Sequence, residues 1–295
     1  MDALFFFQHS TNDDLELRYA LRSVDRHMPW IRKVWIFGDC PLFLTADTDT
    51  VEHLSHERIA WIGGFASPIR NFFVMYYLSA LWPELTPEYI RFSDDFIVLS
   101  DMSVELASRV RFLKDMSRSK GRGQGPWQES LWHTHDVLKR LGYPVLNYET
   151  HTPAYFRKEW AVDAFRDLRD YVSEDRWFGL TGATAILNHA WQRHRMPLTR
   201  VSKEHSRFGY YGNPPSYEDV KKDAVGKLFL NFDDKAFGSG LRQFLAERFP
   251  TPSRFEIDGD GRPAQPALPR RPQTELPKTG QGGYRTLPDA VIKVI

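Results

Sequence analysis

Two adjacent carboxylates, Asp94 and Asp95, interrupt an otherwise apolar run, Tyr89-Ile90-Arg91-Phe92-Ser93-Asp94-Asp95-Phe96-Ile97-Val98-Leu99. The β-branched and aromatic residues on either side predict a strand. Charge is costly inside a sheet, so the pair predicts a strand end that opens on a cleft. Two carboxylates there suit a hard divalent cation, Mg²⁺ or Mn²⁺, with positions left over for substrate phosphates. The alternative is a turn with both acids solvated. His151, between Glu149 and Pro153, is the candidate third ligand, because imidazole beside carboxylates suits Mn²⁺ better than Ca²⁺. The same histidine could serve as a catalytic base, donate to a phosphate, or be structural.

Other chemistries lack their residues. A single cysteine, Cys40, and scattered histidines give no zinc spacing. His133 and His135 lie two apart on a helical stretch and cannot share a face. There is no Gly-rich Lys-Ser/Thr phosphate loop and no Gly-x-Gly-x-x-Gly fingerprint. A Gly-x-Ser-x-Gly elbow is also missing. What remains suits a nucleotide diphosphate held by a metal, which would bridge the phosphates and neutralise the leaving group.

The elements that must position these groups are readable by period. Residues 2–8 read as a buried strand. A helix follows, with Leu15, Tyr19, Leu21 and Val24 at near-helical spacing and Asp13 or Asp14 available as its cap. Lys33-Val34-Trp35-Ile36-Phe37-Gly38 reads as the second strand and Arg58-Ile59-Ala60-Trp61-Ile62 as a short third. Residues 69–82 form a helix that is apolar nearly all round. The alternation predicts a parallel α/β sheet, with Asp94 and Asp95 at the carboxyl end of a strand, where open sheets bind ligands. Further on, residues 117–126 read as a basic loop, a phosphate contact or a solvated surface. Residues 127–141 read as a helix, 147–156 as a strand, and 160–171 and 184–193 as helices. Residues 227–234 read as a strand running into a second acidic pair, and 240–248 as a helix. From Asp258 prolines and glycines recur without an apolar period, which predicts a domain over 1–257 and a disordered tail over 258–295.

Composition sets outer bounds. With 42% hydrophobic and 26% charged residues, the 295-residue chain is ordinary for a globular protein with a large core. A net charge of +1 gives no field to draw in nucleic acid. A single cysteine excludes an internal disulfide and fits a reducing compartment. Leu4-Phe5-Phe6-Phe7 is too short for a secretory leader, and no apolar run reaches the roughly 18 residues of a membrane span. The expectation is a cytoplasmic protein. Aromatics at 14% fit either sugar and base stacking or a bulky core.

Several segments also resemble a known family. Asp14-Leu15-Glu16-Leu17-Arg18-Tyr19-Ala20-Leu21-Arg22-Ser23-Val24, then Pro29-Trp30-Ile31-Arg32-Lys33-Val34-Trp35-Ile36, resemble a signature region of the Stealth-type sugar-phosphate transferases. These are capsular-polysaccharide enzymes related to the lysosomal-targeting N-acetylglucosamine phosphotransferase. Phe92-Ser93-Asp94-Asp95-Phe96 resembles that family's Asn-Asp-Asp-Phe segment. Small bacterial and phage glycosyltransferases are similar at Tyr148-Glu149-Thr150-His151-Thr152-Pro153 and Phe249-Pro250-Thr251-Pro252-Ser253-Arg254-Phe255-Glu256. The resemblance implies a GT-A-like, Rossmann-type mixed sheet flanked by helices. It also implies a divalent metal and transfer of a sugar, or alternatively a sugar 1-phosphate, from a nucleotide sugar to a glycan or other hydroxyl acceptor. By position, Asp94 and Asp95 would bind metal and donor, and His151 would line the site. Asn12, Asp13 and Asn71 would contact the donor. Arg18 and Arg22 would approach its diphosphate or support the first helix. The acceptor base would come from Asp175, Glu174 or Asp234, and Trp177 is a candidate sugar platform or a core residue. A nucleotide-sugar-binding protein without turnover is the remaining reading. Two departures weigh against phosphotransfer more than against the fold. Ser93 stands where the Stealth pattern often has Asn. Phe5-Phe6-Phe7-Gln8-His9-Ser10 stands where that family has a Trp-Val-Asp-like segment.

Overall fold

The computed structural model describes residues 1–201, 203–209 and 213–257. In chain order its first half runs β1 (Asp2–Phe7), α1 (Leu15–His27), β2 (Val34–Gly38), β3 (Val51–Leu54), α2 (His56–Gly63), α3 (Phe72–Ala80), β4 (Glu88–Ser93), β5 (Phe96–Val98), α4 (Val104–Ala107), β6 (Val110–Phe112) and β7 (Lys114–Asp115). The second half runs α5 (Pro126–Arg140), β8 (Leu146–Asn147), β9 (Ala154–Arg157), α6 (Lys158–Asp167), α7 (Gly182–His194), β10 (Leu198–Arg200), β11 (His205–Phe208), α8 (Tyr217–Asp223), β12 (Phe229–Phe232) and α9 (Ser239–Arg248).

Every residue of β1 is buried. Successive side chains of a strand point to opposite faces. Ala3, Phe5 and Phe7 accordingly join one core cluster, with residues of α1 and α9, while Leu4 and Phe6 join another, with residues of α3, α6 and α7. Both faces of the sheet are therefore covered, as parallel strands require. The order is β3-β2-β1-β4-β9; β3, β2, β1 and β4 run parallel and β9 runs antiparallel to β4. The buried Asp2 carboxylate locks three strands at one end, accepting from Arg32 (2.7 and 2.9 Å), Trp35 Nε1 (2.9 Å) and the Thr86 N–H (3.1 Å). The observed architecture is thus the expected mixed sheet flanked by helices. A smaller sheet, β11-β12-β5, begins where the chain leaves β4.

Two local expectations are corrected. Residues 58–62 are not the third strand; they lie in α2, and β3 takes that place. Ser55 caps α2 by accepting from the Arg58 N–H at 3.2 Å, and Gly64 ends it in the left-handed region. Residues 147–156 are not one strand either. The Asn147 side chain accepts from the Glu149 N–H at 2.8 Å, His151 has φ 54°, and Pro153 has no N–H to give. The ladder therefore stops at Asn147 and resumes at Ala154. Asp14 occupies the cap position of α1, but its carboxylate accepts from Ser10 N–H and His9 Nδ1 rather than from a helix N–H. The expected tail, 258–295, lies outside the described residues. Among those described, no helix is long and apolar enough to cross a membrane.

Candidate active site

From β1 the chain moves to β2 and β3 on one side, and then β4 pairs on the other. The carboxyl ends of β1 and β4 flank this reversal of strand order, where open α/β sheets bind ligands. The loop after β1 and the start of α1 supply Ser10 and Glu16. The end of β4 supplies Ser93, Asp94 and Asp95. The chain then crosses to the small sheet, where β5 pairs with β12. That pairing brings the second acidic pair, Asp233 and Asp234, to the same place. Together with Phe232 and Lys235 these residues line an acidic cavity of about 380 Å³.

A second cavity, of about 310 Å³, adjoins it, and Ser93 and Asp95 line both. Its walls are aromatic and polar and include Tyr76, Arg91, Trp127, Tyr148, Glu149 and His151. The groups meeting at Asp95 are electrostatically strained. Burial, the Asp95 charge and the Glu16 charge push the Asp94 carboxyl well above the usual range. Burial pushes Asp95 up to about 7; the Arg91 charge and the Asn231 amide, which donates to its Oδ2, hold it from going higher. Burial, then the Arg207, His205 and Arg91 charges, push His151 down to about 3, so its ring is neutral at pH 7. Burial raises the Glu149 carboxyl, opposed by the Thr184 N–H that donates to its Oε1 at 3.0 Å.

The cofactor expected at Asp94 and Asp95 fits this chemistry. Oxygen donors from carboxylates are what hard cations take, and a cation would offset the burial that raises both acids and the smaller repulsion from their acidic neighbours. Among the described residues, however, no three His, Cys, Asp or Glu side chains form a ready-made metal group. His151 lines the second cavity, not the acidic one.

The remaining expected site residues are placed as follows. Arg22 makes two hydrogen bonds of 2.9 Å to the buried Glu256 carboxylate, and Arg18 lies 3.4 Å from it; both therefore fasten α1 to the segment after α9. Asn71 is buried at the start of α3. Its Oδ1 accepts from the Phe73 and Val74 N–H groups, and its Nδ2 donates to Asp175 O at 3.0 Å and Leu180 O. Asp175 lies on the exposed loop that Asn71 tethers, and the Trp177 and Phe178 N–H groups hold its carboxyl below the usual range. Asn12 donates to Glu16 Oε1 at 2.7 Å and accepts from Arg242, and Asp13 is exposed. Of the three expected bases, Asp234 lines the acidic cavity. Trp177 lines the second one, with the Arg176 guanidinium 4.7 Å from its ring. In the basic loop, Arg122 pairs with Asp136 at 2.7 and 2.9 Å.

Glu16, Arg91, Tyr148 and Glu149 are among the cavity residues not singled out from the sequence. Arg91 carried a signal, since a charged residue inside Tyr89-Ile90-Arg91-Phe92 needs a reason as much as the acids do. Asn231, in the apolar run Leu230-Asn231-Phe232, carried another.

No family model matches the chain. Among curated proteins, a stretch of 49 residues, 16% of this chain, is 43% identical to mouse N-acetylglucosamine-1-phosphotransferase subunits alpha/beta. A stretch of 62 residues, 19% of the chain, is 37% identical to the human protein. The matches span only 4% and 5% of those relatives' lengths. Among solved structures, mouse xyloside xylosyltransferase 1 in its apo form is similar at 11% identity, covering 80% of this chain and 98% of that one, with a TM-score of 0.41. Galactosyltransferase LgtC in complex with donor and acceptor sugar analogues is similar at 14% identity, covering 85% and 97%, with a TM-score of 0.45.

Proposed function

We propose that this chain is a metal-dependent glycosyltransferase that moves a sugar from a nucleotide-sugar donor to an acceptor hydroxyl. One observation carries the reading: an acidic cavity and an aromatic-polar cavity meet at Ser93 and Asp95, at the point where strand order reverses. Asp94 and Asp95 would hold Mn²⁺ or Mg²⁺, with Glu16 and Asp234 beside them. That cation would neutralise charge on the departing diphosphate. Asn231 fixes Asp95 through its Oδ2. In the second cavity Glu149 is the general base. Thr184 N–H orients its carboxylate, and burial raises it above the ordinary carboxylate value, which makes it a stronger base. The acceptor O–H gives its proton to Glu149 as its oxygen bonds the anomeric carbon, and the bond from that carbon to phosphate oxygen breaks. Nucleoside diphosphate is released.

The short matches to the phosphotransferase favour a second reading, in which the acceptor oxygen attacks phosphorus and nucleoside monophosphate leaves. Chromatography of the nucleotide released separates the two. Diphosphate supports sugar transfer and monophosphate replaces it with sugar-phosphate transfer. Glu149→Gln should lower kcat by about 10²–10⁴-fold with donor affinity retained; unchanged kcat removes Glu149 as the base.

A further inference from the structure

Arg91 projects from the middle of β4 among three rings, its guanidinium carbon 5.0 Å from the Phe6 centroid, 5.5 Å from Phe96 and 5.8 Å from Tyr76. Its Nε is buried without a hydrogen-bond partner, and among the described residues its guanidinium forms no ion pair. Arg91 as a whole is half-buried, but a buried N–H of this kind ordinarily has an acceptor on it. Asp94, Asp95 and Glu149 feel the Arg91 charge through space, but among the described residues none of them forms a hydrogen bond or ion pair with it; Asp95 Oδ2 accepts from Asn231, and Glu149 Oε1 accepts from Thr184 N–H. The rings stabilise the cation by its face, and this leaves the N–H edge unused. Tyr148 repeats the pattern. It is 2% exposed, its hydroxyl has no hydrogen-bond partner among the described residues, and it lines the same cavity as Arg91. Two buried donors without acceptors, on one cavity of about 310 Å³, describe a place built for an acceptor group supplied from outside.

We propose that Arg91 and Tyr148 form an oxyanion-binding site, and that the acceptor is an acidic sugar whose carboxylate or phosphate ester sits on the Arg91 guanidinium. The planar guanidinium fork matches either group bidentately, and desolvation strengthens the bond. Trp127 and Trp177 on the same walls offer faces for the sugar ring. The word acceptor rests on the transferase reading, in which the donor diphosphate occupies the acidic cavity on the other side of Asp95. The anion site itself does not depend on it.

The test is calorimetric titration of the full chain, in Mn²⁺, with glucuronic acid, glucose 6-phosphate, glucose and uridine diphosphate. At least one acidic sugar should bind about tenfold or more tightly than glucose; glucuronic acid alone identifies a carboxylate, and glucose 6-phosphate alone a phosphate ester. Arg91→Gln should abolish that preference; Arg91→Lys, which keeps the charge that holds the Asp95 carboxyl down but loses the planar fork, should reduce it several-fold while uridine diphosphate binds as before. Tyr148→Phe, which removes one oxygen, should weaken the acidic sugar several-fold with the melting temperature unchanged. Acidic sugars that bind no better than glucose overturn the proposal, as does a preference that survives Arg91→Gln and Tyr148→Phe. Equal loss of uridine diphosphate in Arg91→Lys would assign Arg91 to the donor and overturn it too. Binding of an acidic sugar through Arg91 without any binding of uridine diphosphate would keep the site and remove the transferase reading.

Discussion

Glu256→Ala should unfold a joint that Arg22 closes. The Glu256 side chain is fully buried and Arg22 is 15% exposed, so removing the carboxylate leaves a cation in a dry place. The carboxylate accepts two Arg22 bonds of 2.9 Å, the Ser253 N–H at 2.8 Å and the Ser253 hydroxyl at 3.0 Å. Breaking one side of such a pair costs about 3–5 kcal/mol. Arg22 keeps one bond of 3.2 Å to Phe249 O, which places the expected loss at about 3 kcal/mol, the low end of that range. Urea unfolding followed by tryptophan fluorescence reads it. With a slope of about 3 kcal/mol/M, the midpoint should fall by roughly 1 M. Glu256→Gln, which keeps the shape and two acceptor sites, should lose less. A loss below about 1 kcal/mol would refute the idea that this pair fastens α1, and would return Arg22 to the list of possible donor ligands.

Asn71→Ala removes the cap of α3 and the tether of the loop carrying Asp175 and Trp177; about 2 kcal/mol should be lost in the same unfolding assay. Asn71→Asp keeps the cap and should recover part of that loss. The pH dependence at Asp95 has a definite sign. Its carboxyl is at about 7 when folded, above its ordinary value of 3.8, so the folded state binds the extra proton between those values. That contribution to stability is complete below pH 3.8 and is lost as pH rises through about 7. A cation needs the deprotonated form, so stabilisation by Mn²⁺, measured as a melting shift, should grow between pH 6 and pH 8. A shift that is flat across that interval would contradict a role for Asp95 in holding the metal.

The sheet was legible because β1, β2 and β4 are long apolar runs, and the length of such a run separates strand from helix. Residues 58–62 misled because four of the five are apolar or β-prone. The helix there is set by a serine cap and a glycine stop outside the run. The acidic pair was legible because charge interrupts hydrophobic period. Asp234, 139 residues after Asp95, was legible only as one of three candidate bases, and Glu16, 78 residues before Asp94, was not legible at all, because neither is near the pair along the chain. Arg18, Arg22 and Asn71 show the opposite limit. Arg18 and Arg22 read as donor ligands or as supports of α1, and Asn71 as a donor ligand; the fold uses the arginines to bind its own carboxylate and Asn71 to bind its own backbone. Residue type alone cannot separate these uses, because a buried carboxylate and a substrate phosphate offer arginine the same geometry.

The account turns on a donor held at Asp94 and Asp95 through a cation, and a thermal-shift measurement tests it most directly. The full chain would be melted with a panel of nucleotide sugars, each with Mn²⁺, with Mg²⁺ and with a chelator. The account predicts that at least one donor raises the melting temperature only when metal is present, and that Asp95→Ala removes the shift without lowering the melting temperature of the ligand-free protein. No donor stabilising the chain with either metal, or stabilisation that persists in the chelator and in Asp95→Ala, would contradict it.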